Sequence, residues 1–257
     1  MQNTSLSASS STLTRRRVRL GQEVLWGYIF ISPWLVGLLI FTLGPVVASF
    51  LLSFANYELI TPPHWIGLKN YVTLLTGDSL FWKSLYNSAY YTLFSVPLGI
   101  MAAFTLAMLL NLKLPAMRVY RTIFYLPVVT SGVAVALLWI WLFNSQFGLI
   151  NYLLRLIGLR GPGWIVDPKW AKLAFVLMSL WGSGGTAVIF LAGLQGVPRS
   201  LYEAAAIDGA NTWHQFRYVT VPMMSPVIFF NLVMGIIGSF QVFTQAYVMT
   251  SGGPQNA

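Results

Sequence analysis

The sequence predicts an all-α, polytopic membrane protein with at least five transmembrane helices. Of its 257 residues 56% are hydrophobic and 8% charged, against about 25% charged in a soluble domain, and the mean hydropathy is +0.69. The 15 basic and 6 acidic residues leave five stretches without charge, 24–57, 84–112, 122–154, 173–198 and 218–257. Each exceeds the roughly 20 residues a helix needs to cross a hydrocarbon core of about 30 Å. The net charge of +9 is scattered in small groups between these stretches, which fits topology and anionic lipid better than nucleic acid.

Residues 1–14 are Ser/Thr-rich and read as an irregular tail; the whole of 1–25 reads as an N-terminal tail ahead of the membrane domain 26–257. Arg15, Arg16, Arg17 and Arg19 precede an apolar run too long for a signal-peptide core, so that run reads as an uncleaved first span, 26–54, bent by Pro33 and Pro45. A mixed loop follows, with the helix-stopping Pro62–Pro63 pair and an amphipathic piece at 68–75. The second span covers 85–110, with Pro97 inside it, and a short loop carrying Lys113, Arg118 and Arg121 leads to the third, 122–143, containing Pro127. In 144–172 the spacing of Phe147, Ile150, Leu153, Leu154 and Ile157 predicts an interfacial helix, and Trp164 and Trp170 suit the headgroup level. The fourth and fifth spans fall at 173–194 and 224–249, separated by the hydrophilic loop 195–221.

With the N-terminus inside, the cytoplasmic loops hold nine Lys and Arg, including the wholly basic loop 111–121, and the outer loops six. That asymmetry places 195–221 in the cytoplasm. The five stretches contain no ionisable Asp, Glu, His, Lys or Arg, which argues against proton-coupled carriers, pumps and voltage sensors. No Gly-Lys dipeptide occurs, so there is no P-loop, and neither a Gly-x-Ser-x-Gly elbow nor a carboxylate pair within a span supports catalysis. His64 and His214 lack ligand spacing, and with no cysteine there is no thiolate site. The residues are therefore read as those of a multi-pass membrane protein without a cofactor or metal of its own rather than of an enzyme, which leaves a carrier that borrows its energy from a partner, a secondary carrier or facilitator, and a non-transporting scaffold as the open readings.

The loop 195–221 predicts a short helix, with Pro198 at its first turn and Leu201 to Ile207 rich in alanine, stopped by Gly209; a second short helix covers 212–218. Alanines beside Glu203 give a narrow surface that fits a partner's groove, although a solvated hairpin joining two spans has the same pattern.

Glu203-Ala204-Ala205, Gly209 and then Pro222 resemble the EAA loop of permease subunits in binding-protein-dependent ABC importers. The string from Leu191 to Pro198, the run Leu201-Tyr-Glu-Ala-Ala-Ala-Ile-Asp-Gly-Ala210, Trp65-Ile-Gly-Leu-Lys-Asn-Tyr71 and the terminal Ser-Gly-Gly-Pro254 are similar to the sugar-importer branch, the maltose and glycerol-3-phosphate type. The resemblance implies a type I ABC importer permease fold and places Glu203, Ala204, Ala205, Asp208 and Gly209 against a separate ATPase. It also implies a second permease subunit, two ATPase subunits, an extracytoplasmic solute-binding protein and a home in the cell membrane. It implies a sixth span after Pro254, which the sequence, ending at Ala257, lacks.

A translocation path is expected on spans four and five, which bracket the loop. Asn231, Gly235, Gly238, Gln241 and Gln245 recur at three or four residues and so share a helix face, with Ser183, Gly184, Gly185 and Thr186 as neighbours. Small and amide residues also glue helices together, which is their commoner use. Ten Trp are expected first as interface anchors, and the sequence does not name a particular sugar.

Overall fold

The computed structural model describes residues 8–58, 60–112 and 114–254, with side chains from Gln22 onward. The arginines at 15–19 and Lys113 therefore lie outside the described side chains. The chain divides into two units, Met1–Asp78 and Ser79–Ala257.

In the first unit α1 (Ala8–Leu38), a π-helical turn (Leu39–Leu43) and α2 (Gly44–Leu52) form one continuous helix, of which Gln22–Leu52 is long and apolar enough to cross a membrane. The helix starts at Ala8, earlier than the Ser/Thr-rich composition suggested, since composition sets only a weak preference that a continuous backbone ladder overrides. The π-turn has a local cause. Pro45 has no N–H to continue the ladder, and the wider turn lets the Gly44 N–H reach the Leu39 carbonyl instead. The loop beyond holds a two-residue antiparallel pair, β1 (Ala55–Asn56) and β2 (His64–Trp65), that the all-α reading did not include. Asn70 on α3 (Lys69–Thr76) ties it down by donating to the Ser53 and Ala55 carbonyls at 2.9 and 3.1 Å.

In the second unit α4 (Ser79–Leu110) is the central helix. It is followed by α5 (Met117–Val129), α6 (Gly132–Leu142), α7 (Leu149–Leu156), α8 (Pro168–Trp181) and α9 (Gly184–Gln195). The chain then forms α10 (Arg199–Ile207), α11 (Thr212–Gln215), a π-turn (Phe216–Thr220), α12 (Val221–Phe240) and α13 (Thr244–Thr250). Helix α4 packs against α8, α9 and α12. One core cluster joins Ala103, Ala107 and Leu110 of α4 to Phe190 and Leu194 of α9 and Met224 of α12, with the Phe104 and Phe190 rings edge-on at 5.3 Å. A second cluster gathers Trp139 and Phe143 against Ala174, Met178 and Met249.

Three of the expected spans differ from single helices. The third breaks between α5 and α6 with a 100° bend, because Thr130 and Ser131 are extended just after Pro127. The fourth bends by 47° between α8 and α9, at Gly182 and Ser183. The fifth was expected to run to Met249, but the helix Thr212–Phe240 stops at Gln241 and the chain restarts as α13, where the run Gly-Ser-Phe-Gln-Val-Phe at 238–243 holds few good helix formers. Among the described residues there are three helices of membrane-crossing length, or five spans if each bent pair counts as one.

The interfacial helix expected around 150–157 is present as α7, with Leu153 and Ile157 exposed. Trp164 departs from the headgroup role assigned to it. It is 7% exposed, its Nε1 donates to Asn151 Oδ1 at 2.7 Å, and its ring packs against Phe143 and Trp170. Asn151 also donates to the carbonyls of Ser145 and Pro162, so this tryptophan closes the loop onto the core.

Candidate functional site

Where the spans bend, packing opens. A cavity of about 230 Å³ lies among α4, α12 and the α8/α9 break; Ser183, Asn231, Gly235 and Gly238, all expected from the sequence, line it. Asn231 is 6% exposed and its Nδ2 donates to the Val227 carbonyl at 2.8 Å, which occupies one end of the amide and leaves Oδ1 available to a solute. Thr186 lines the same wall from the first turn of α9. Gly184 has a different part: a Cβ there would collide with the Phe124 carbonyl of α5, so glycine permits the close approach of α5 and α9.

The shared face expected for span five holds only in part. Asn231, Gly235 and Gly238 keep together, but Gln241 is the exposed C-cap of α12 and lies outside this wall. Gln245 sits on α13 and lines a second cavity of about 230 Å³, together with Thr130, Gly132 and Met178. Its Nε2 would lie 3.6 Å from a Cβ placed on Gly132. Helical spacing fails here because it presupposes one unbroken helix.

Sequence reasoning missed the contribution of span two. Tyr91 and Ser95 of α4 line the first cavity, and Tyr91, Ser179, Gly182 and Val242 line both. The Tyr91 hydroxyl faces those of Ser179 and Ser95, and Thr92 shares a 2.8 Å hydrogen bond with Ser239. A signal was available: Tyr91, Ser95 and Gly99 recur every four residues in an otherwise apolar span. The combined wall carries no charged side chain and sets hydroxyls, amides and glycine backbone among apolar side chains such as Val96, Ile100 and Val242.

The loop 195–221 forms the expected helical pair, with α11 ending at Gln215 rather than 218 because it runs through the π-turn into α12. Gly209 adopts φ +80°. Its N–H bonds the Ala206 carbonyl at 3.1 Å and the next N–H, of Ala210, bonds Ala205 at 2.8 Å, the pair of bonds of a Schellman cap. Asn211 then caps α11, accepting from the His214 N–H at 2.9 Å. Along α10, Tyr202 and Ala205 are half-buried while Glu203, Ala204, Ile207 and Asp208 are exposed, Ile207 to 87%. Tyr202 packs on the first core cluster and its hydroxyl meets Thr220 Oγ1 at 3.0 Å. Its inner face is thus fixed to the spans, and its outer face presents a carboxylate beside exposed apolar surface.

Bent spans around an uncharged cavity, with a helical hairpin anchored on them by one face and exposed on the other, are those of a multi-pass membrane transport protein. Residues 95–256 match the family described as binding-protein-dependent transport system inner membrane component, and the chain belongs to that family. It is 41% identical over 249 residues to the probable ABC transporter permease protein YesP of Bacillus subtilis (strain 168), covering 96% of this chain and 80% of YesP. It is 36% identical over 237 residues to the lactose transport system permease protein LacF of Rhizobium radiobacter, covering 90% of this chain and 78% of LacF. Its fold matches that in the crystal structure of a bacterial alginate ABC transporter in complex with an alginate pentasaccharide-bound periplasmic protein, with a TM-score of 0.76 over 91% of this chain and 79% of that one, at 23% identity. The fold is that of an ABC importer permease.

Proposed function

We propose that this chain is the membrane-spanning subunit of an ATP-driven importer for a sugar, an oligosaccharide or a glycerol phosphate, and that α10 couples it to a separate ATPase subunit. One observation carries the reading. The exposed α10 is tied through Tyr202 and Thr220 to the helix Thr212–Phe240, and that helix sets Asn231 in the cavity wall. A push on α10 therefore reaches the solute site through one continuous helix. Glu203, Ala204 and Ile207 form the docking face, with Ala205, Asp208 and Gly209 fixing its end; ATP is hydrolysed in the partner. A second permease subunit completes the path, two ATPase subunits drive it, and an extracytoplasmic binding protein delivers the solute. The N-terminus and the loop 195–221 face the cytoplasm. The lactose system of LacF and the alginate system of the structural neighbour support a saccharide as cargo.

Only a partner that binds the inward-open and outward-open states differently can drive the change between them, so uptake must depend on nucleotide in trans. The test is uptake into proteoliposomes holding the whole assembly. Glu203→Lys places a cation on the docking face and is expected to weaken ATPase co-purification and abolish ATP-dependent uptake, with membrane insertion unchanged. Normal uptake at normal expression would refute the coupling and leave a facilitator or a membrane scaffold.

A further inference from the structure

One cation stands at the edge of the cavity lining. Lys172 of α8 is half-buried, its Nζ donates to Asn87 Oδ1 of α4 at 3.1 Å, and it lies 4.6 and 5.4 Å from the ring centroids of Tyr86 and Tyr90. Among the described residues no carboxylate pairs with it. Helical spacing sets Asn87 one turn from Tyr91, and Lys172 two turns from Ser179. Tyr91 and Ser179 line both cavities, so the ammonium lies on the same faces of α4 and α8, one to two helical turns beyond the residues that line them. It does so at the end away from α10, since α10 packs near the other end of α4, around Ala107 and Leu110.

Packing alone does not account for a lysine here. A methionine would cover the same two rings without desolvating a charge, whereas half-burial of an ammonium is unfavourable and is offset only in part by an amide oxygen and two ring faces. The walls beyond it add positive potential of a second kind. Helix α9 begins at Ser183 in the first cavity, and α6 begins at Ser131 beside the second, both without a side-chain cap. The free N–H groups of a half-helix start favour negative charge. No acidic side chain lines either cavity.

We propose that Lys172 is a selectivity residue for an anionic solute, a saccharide bearing a carboxylate or a phosphate, whose charged group meets the ammonium while its hydroxyls follow the neutral wall. The proposal rests on the importer reading and adds the charge class of the cargo. Lys172 makes a charge-assisted hydrogen bond to the anion, exchanging the Asn87 oxygen for a stronger acceptor.

The chain has no cysteine, so Lys172→Cys gives one addressable position in it. The complete importer with its binding protein is reconstituted, and ATP-dependent uptake is measured for a neutral disaccharide, the matched uronate disaccharide and a sugar phosphate. The uronate and phosphate arms separate the two sources of anion. Wild type is expected to take up at least one anionic solute, and Lys172→Cys to lose it at least tenfold while any neutral uptake changes less than twofold. Aminoethyl methanethiosulfonate rebuilds an ammonium of lysine length and should restore anionic uptake; the sulfonatoethyl reagent should not, and neither should alter the wild-type assembly. Equal loss of neutral and anionic uptake, or equal effects of the two reagents, overturns the proposal in favour of packing. ATP-dependent uptake of neutral saccharides alone by the wild type overturns it too and leaves the importer standing. No ATP-dependent uptake of any saccharide removes the reading beneath it.

Discussion

Replacing Gly209 by Asn, Ala and Val separates backbone conformation from contact at the end of α10. A Cβ added there meets nothing within 4 Å in the chain, so the first added carbon does not act by collision within the fold. What the substitutions change is the cost of holding φ at +80°. For an ordinary L-residue that cost is about 1–2 kcal/mol, for asparagine less, and β-branching raises it toward or beyond the upper end. Losing the left-handed residue also releases the carbonyls of Ala205 and Ala206 from the capping bonds they accept. If the capped geometry is what docks, the penalty appears in affinity: 1 kcal/mol is about fivefold and 2 kcal/mol about thirtyfold. Binding of the purified ATPase to the permease pair in nanodiscs should therefore weaken little for Asn, about fivefold for Ala and thirtyfold or more for Val. Uptake should fall in the same order. Equal affinity for Asn and Val would refute the claim that a left-handed cap positions the docking helix. Wild-type affinity for all three would remove the loop from the interface.

Four further outcomes follow from the geometry. Gly184→Ala drives a methyl into the Phe124 carbonyl, so α9 must move off α5 at a cost of about 1–3 kcal/mol; an unchanged melting temperature in detergent would contradict that packing. Asn231→Leu is expected to lower uptake while assembly persists, and Gln241→Leu, which alters an exposed cap, to leave uptake near wild type; the reverse order would relocate the path. Tyr202→Phe removes the 3.0 Å bond to Thr220, worth about 1 kcal/mol, and should reduce transport per ATP hydrolysed without loss of ATPase binding. For orientation, an impermeant thiol reagent on intact cells should label a cysteine at Ile157, 70% exposed, and miss one at Thr212; the opposite pattern inverts the topology.

The parts of the fold visible in the sequence are those fixed by local chemistry. Charge-free stretches are set by lipid, so the spans were located, and the order Pro198, alanines, Gly209 is written in backbone preferences, so α10 and its cap were found almost to the residue. The breaks were not legible for a related reason. Thr130, Ser131 and Gly182 are ordinary residues in a membrane helix, and whether the chain bends at them depends on what packs on either side. The same holds for Gln241 and Gln245, whose spacing says one face only while the helix continues. Lys172 was counted as a loop cation because hydropathy registers a charge, and nothing in a one-dimensional pattern brings Tyr86, Tyr90 and Asn87 to it from a different span.

The separation of docking helix and cavity imposes a condition on any coupling. From Thr220, where Tyr202 is anchored, to Asn231 in the cavity wall, helix α12 rises about 16 Å at 1.5 Å per residue. A signal crosses that distance with little loss only if the connecting element moves as a body. Helix α12 meets the requirement along most of its length, with Gly235 against Val96 and Met224 filling the space beside Gly193. Its weak points are the two ends and Pro226, which lacks the N–H that would bond the Pro222 carbonyl. The π-turn Phe216–Thr220 has a wide ladder at the start, and Gln241 stops the helix just past the cavity. Thr220 braces the first by donating to the Gln215 carbonyl at 3.4 Å while accepting from the Tyr202 hydroxyl at 3.0 Å. Motion entering at α10 is thus delivered to the stretch between Thr220 and Phe240 and dissipated beyond it. The moving part of the path should therefore end at Ser239, while Val242 and Gln245, which also line the cavities, and the rest of α13, which packs on α6, should hold still as wall. Crosslinking α13 to α6 should then spare transport, whereas crosslinking α12 to α4 beside Gly235 should stop it.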